Sequence, residues 1–96
     1  VSVVVEDLPT DYHLSRVAGA TRHGLLGLYS GIPLTRRNTG YGMAPVIPDT
    51  ITLFKRNIEA FAGGTEHVRG KIREVLIHEI GHYFGMTEEQ VRAAGY

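Results

Sequence analysis

The sequence contains no cysteine and no tryptophan. The first absence excludes disulfides and every thiolate metal site, so any metal held here must rely on His, Asp or Glu. A net charge is also missing, because ten Lys and Arg balance ten Asp and Glu. Nucleic acid and anionic membrane both select for a basic excess, and neither is expected as a partner. The pair Arg36-Arg37 is too short to form a basic patch. No apolar run approaches the length of a membrane span, and no secretory signal is legible. The chain opens on Val1 rather than Met, which reads as a processed start or a missing upstream segment; cytoplasm is the default expectation. Nothing in the sequence sets an oligomeric state.

At 96 residues the chain fits one domain, expected to span residues 1–96. A core of that size is marginal, and a bound metal is one common source of extra stability. Three short runs read as strands: Val1–Glu6, Leu25–Tyr29 and Ile51–Phe54. The first is β-branched throughout its centre and reads as buried on both faces. Pro45 and Pro48 confine Ala44–Asp49 to a loop or a sheet edge, because each proline removes a ladder donor. An extended peptide could add to that edge. Residues 12–24 read as loop with at most one helical turn, and Asn57–Ala62 as another single turn.

After Gly63-Gly64, Thr65 is placed to cap a helix running from about Glu66 to Phe84, with Gly85 as its left-handed stop. Thr87 then caps a second short helix, and Gln90 completes a capping box. The expected architecture is α+β: a small mixed sheet packed on the long helix.

The long helix carries the chemistry. At 100° per residue, Val68, Ile72, Leu76 and Tyr83 share one side, which is the expected core stripe. Glu79 projects into the same stripe, where a carboxylate is costly unless a charged or hydrogen-bonding group meets it. His78 and His82 stack one turn apart on the adjoining strip. Two imidazoles at that spacing can reach one zinc ion, and an acid beside them can take a proton from a water that the zinc acidifies. The run from His78 to His82 is the H-E-x-x-H pattern of such sites. Gly81 inside the helix costs about 1 kcal/mol relative to Ala, which close packing on that face would explain. The competing reading is two hydrogen-bonded histidines and a Glu reaching the surface.

The longer run His78–Glu88 resembles the zincin clan of metallopeptidases and its extended motif H-E-x-x-H-x-x-G-x-x-(H/D). Metzincins end that motif on His and Asp-zincins on Asp; here the position holds Glu88. The wider chain resembles a family of small bacterial domains, minimal zincins, described as candidate zinc metallopeptidases. The similarity includes Val3–Asp7, Leu25–Tyr29, Gly31–Leu34, Ile51–Phe54 and the HEIGHYFG run. Family members usually have a further helix ahead of the first strand, which has no counterpart here. The resemblance implies a zincin-like α+β core, a zinc ion held by His78, His82 and Glu88, Glu79 as general base, and a peptide or protein substrate. Glu88 also sits where a helix dipole favours acids, so water, Glu89 or a distant residue stay open as alternatives for the third ligand. A non-catalytic, zinc-stabilised interaction domain is the alternative function.

His13, His23 and His67 read as surface histidines. Tyr41 and Tyr83 carry hydroxyls that could reach a reacting carbonyl, although Tyr83 lies on the core stripe and is assigned to packing. Met43 and Met86 are assigned to packing as well. If a metal binds only the folded chain, chelation with EDTA lowers the melting temperature by mass action; a melting curve indifferent to EDTA would refute the metal site.

Overall fold

The computed structural model describes residues 1–31 and 49–95. Among these residues seven elements follow in the order β1 (Ser2–Glu6), α1 (Asp11–Ser15), β2 (Gly27–Ser30), β3 (Thr50–Phe54), α2 (Lys55–Ala62), α3 (Thr65–Tyr83) and α4 (Glu88–Ala93). The strands form one mixed sheet in the order β1-β3-β2 among the described residues. β3 runs parallel to β1 and antiparallel to β2, with Ile51 between Val3 and Tyr29, and Leu53 between Val5 and Gly27. The fold is α+β, as the sequence suggests.

Central position makes β3 the buried strand: Ile51 is 1% and Phe54 0% exposed. Alternation puts Ile51 and Leu53 on one face. There they join Ile58 of α2 and Val75 of α3 in the core cluster, with Val68, Leu76 and Ile80 packed against it. The other face receives α1, where the His13 ring meets Phe54 edge-on, centroids 4.9 Å apart.

Several expectations need correction. β1 is not buried on both faces; it pairs with β3 on one side, and Val3 and Val5 are 51% and 59% exposed. Valine-rich composition cannot distinguish a central strand from a marginal one. The turn expected at Asn57–Ala62 is a full helix starting at Lys55, directly after β3. Thr65 is the first residue of α3 and not its cap; that position belongs to Gly64, without a side-chain hydrogen bond. The buried side chains of α3 are Val75 and Glu79, while Ile72 stays 38% exposed. The cause is Gly27, where a Cβ would lie 2.7 Å from Val75 Cγ1. With no side chain on Gly27, Val75 of α3 packs onto β2. The segment 44–48, expected at a sheet edge, lies outside the described residues, as do Arg36-Arg37, Tyr41 and Met43.

The loop before β2 is held by Asn57, which is 3% exposed. Its Nδ2 donates to the carbonyls of Arg22 at 2.7 Å and Leu25 at 2.8 Å. Arg22 in turn donates to the Pro9 carbonyl at 2.7 Å and to Asp11 at 2.6 Å. Asn57→Ala would leave two carbonyls without their donor. The expected loss is about 2 kcal/mol, read as a lower urea midpoint. An unchanged midpoint would show that the loop is held by other means.

Candidate metal centre

α3 brings His78, Glu79 and His82 to the side facing β2. One donor atom from each lies within 4.8 Å of the others. Glu79 is 8% exposed, and its Oε1 accepts the backbone N–H of Tyr29 at 2.9 Å. The acid in the apolar stripe thus has a strand amide as partner. Close approach of α3 makes this bond possible, since a Cβ at Gly27 would touch Glu79 Cγ at 3.4 Å.

The end of α3 brings in the remaining acid. Gly85 has φ 88°, in the left-handed region. The N–H of Gly85 bonds to the His82 carbonyl and that of Met86 to the Gly81 carbonyl, both at 2.9 Å, which is a Schellman stop. The Met86 carbonyl then lies 3.0 Å from His82 Nδ1. Thr87 caps α4 through a reciprocal box with Gln90, placing Glu88 at the first helical position. A Cβ on Gly81 would lie 2.9 Å from Val91 Cγ2, so glycine there lets α4 dock. Glu88 Oε1 is 2.6 Å from His78 Nε2 and 2.9 Å from His82 Nε2. Its other oxygen faces Arg92 Nε at 3.7 Å.

A family model described as zincin-like metallopeptidase matches residues 1–96. The chain belongs to this zincin-like family. No curated protein matches it.

Zincin-like chains imply zinc, and the donor set fits that ion. A backbone carbonyl can only accept, so His82 Nδ1 carries a proton; the Nε2 that faces Glu88 either donates a second proton to the carboxylate or, with that proton gone, offers its lone pair to a cation. An ionised carboxylate also only accepts. Two acceptors 2.9 Å apart require a proton or a cation between them. Nitrogen and oxygen donors without thiolate suit catalytic zinc.

Electrostatics separate the two acids. Burial pushes the Glu79 carboxyl above its ordinary value of 4.5, against the pull of His82, His78 and the Tyr29 amide; the charge of Glu88 adds to the rise. Partial burial also acts upward on Glu88, but hydrogen bonds from His78 and His82 outweigh it and hold this carboxyl below 4.5.

Among the other histidines, His23 and His67 are exposed as expected. His13 is not a surface residue: it is 8% exposed. Its Nδ1 accepts the Thr10 N–H at 2.9 Å and completes the capping box of α1, and its Nε2 lies 3.6 Å from Glu6. A histidine in the place of the usual Glu or Gln hides that role from a motif search. Tyr83 packs edge-on against Tyr29, centroids 5.8 Å apart. Sequence reasoning missed Gly27 and Asn57, which depend on contacts remote along the chain.

The raised Glu79 value has a testable sign in the metal-free protein. A carboxyl with a higher pKa folded than unfolded loses stability as pH rises from its ordinary value through the folded one. Glu88, with its lowered value, contributes stability above 4.5 that is lost as pH falls through the folded pKa. Metal-free Glu79→Gln should therefore have a higher urea midpoint than the parent at pH 7, with the difference shrinking toward pH 4. A parent more stable than the variant at pH 7 would contradict this.

Proposed function

We propose that this chain is a zinc-dependent peptidase in which His78, His82 and Glu88 hold the ion and Glu79 is the general base. The observation that carries the reading is the convergence of both imidazole Nε2 atoms on one Glu88 oxygen, beside a buried acid. When bound, zinc supplies Lewis acidity: it brings the ionisation of water into the neutral range and polarises a peptide carbonyl.

The chain's own residues do the rest. The Met86 carbonyl keeps His82 in the tautomer that offers Nε2. The Tyr29 amide holds Glu79 by Oε1 and so orients its carboxylate. Burial raises the proton affinity of Glu79. That suits a group that must take a proton from water and return it to the leaving amine. A cleft of about 660 Å³ lies over this cluster, bounded by α3 on one side and by β2 with its preceding loop on the other. A peptide substrate would lie there.

One observation favours the alternative, a non-catalytic zinc-stabilised module: Glu79 already has a structural partner in Tyr29. Glu79→Gln separates the two readings, because the amide oxygen of Gln can still accept the Tyr29 N–H. In a peptidase it retains stoichiometric zinc and lowers peptide hydrolysis by 10²-fold or more. His78→Ala and His82→Ala lose tight zinc binding, and Glu88→Ala weakens it. Elemental analysis after dialysis reads the metal. Hydrolysis undiminished in the Gln variant would exclude Glu79 as the base, and full zinc retention in His78→Ala would exclude the ligand set.

A further inference from the structure

The cleft has two dissimilar walls. Along α3 the residues facing it are Lys71, Glu74, Val75, His78, Glu79 and His82, a stripe at intervals of three and four. At a rise of 1.5 Å per residue, Lys71 to His82 covers about 16 Å, the length of roughly five residues of extended peptide. The opposite wall is mostly aliphatic, with Val17, Leu25, Leu26 and Leu28 beside Tyr29 and two glycines; Glu88 and Arg92 also line the cleft. Leu28 is buried at 7%, whereas Val17, Leu25 and Leu26 are half-buried. Their outer surfaces are what the cleft presents.

That wall is preformed. Asn57 holds the Leu25 carbonyl, and Arg22 ties the same loop to Pro9 and Asp11. The polar groups across from it have partners of their own. Lys71 Nζ pairs with Glu74 at 3.0 Å, and Glu79 is bonded to the Tyr29 amide. A side chain entering between Val17, Leu25 and Val75 therefore meets carbon; the charged residues of the lining, Glu88 and Arg92, belong to the part beside the histidines.

We propose that this stretch of the cleft is a specificity pocket for a large aliphatic side chain, Leu, Ile or Met, of an extended peptide whose neighbouring bond is presented to the His78–His82 cluster. The proposal rests on the metallopeptidase reading above. Continuity with the donor cluster points to a peptide as the occupant, and the aliphatic lining favours an apolar side chain over an acidic or basic one.

The test uses N-acetyl amino-acid hydroxamates of glycine, leucine and aspartate, titrated into the zinc-loaded protein. The hydroxamate reports on the metal and the side chain on the pocket. The leucine compound should bind about 10-fold tighter than the glycine compound, and the aspartate compound no tighter than glycine. Leu25→Ala should reduce the leucine advantage to below about 3-fold at equal zinc content, and Leu25→Met should restore most of it. Equal affinity for leucine and glycine, or a preference for aspartate, would overturn the pocket while leaving the metal reading standing. Failure of all three to bind would remove both. If Leu25→Ala does not fold, the leucine-to-glycine ratio of the parent decides the matter.

Discussion

The bond from the Tyr29 amide to Glu79 joins the sheet to the long helix at the point where the chemistry is gathered. A carboxylate buried against Val75 and the strand would be prohibitive alone. The strand supplies an N–H that its ladder with β3 does not use, and the helix supplies the acceptor. Gly27 sets the distance, since any side chain there would collide with Val75. Packing and polarity thus depend on each other: without the close approach the bond is out of reach, and without the bond the close approach buries a charge.

From this contact the site extends in two directions. Along α3, the four-residue interval stacks His78 and His82 above one another, ring centroids 5.0 Å apart. Past the end of α3, the left-handed Gly85 reverses the chain so that a carbonyl meets one ring and a carboxylate meets both. The two acids then differ in character because their surroundings differ. Glu79 is enclosed, which raises its affinity for a proton; Glu88 is open to solvent and bonded to two imidazoles, which lowers its own. Such a division of roles between neighbouring carboxylates is what acid–base chemistry beside a cation calls for.

The parts of this arrangement that were legible in the sequence are local ones. The spacing of His78, Glu79 and His82, the glycine stop, and the Thr87–Gln90 box each occupy one or two helical turns, and backbone geometry alone relates their members. The α+β class and the strand runs were legible for the same reason. What was not legible depends on neighbours far along the chain. β1 reads as a central strand because valines carry no record of how many partners they have. His13 reads as a surface residue because only the fold brings Phe54 beneath its ring. Asn57 looks like a solvated turn residue until Arg22 and Leu25 are seen above it. Val75 replaces Ile72 at the centre of the stripe because a glycine 48 positions earlier leaves room for the helix to rotate.

Val91, 2% exposed, seats α4 against Gly81. That helix is six residues long and carries Glu88. One of the proposed donors therefore rides on a short helix that Val91 seats over Gly81. A displacement of that helix would carry Glu88 away from His78 and His82 with no change to either ring. The fit of one small apolar pair thus decides where a carboxylate stands.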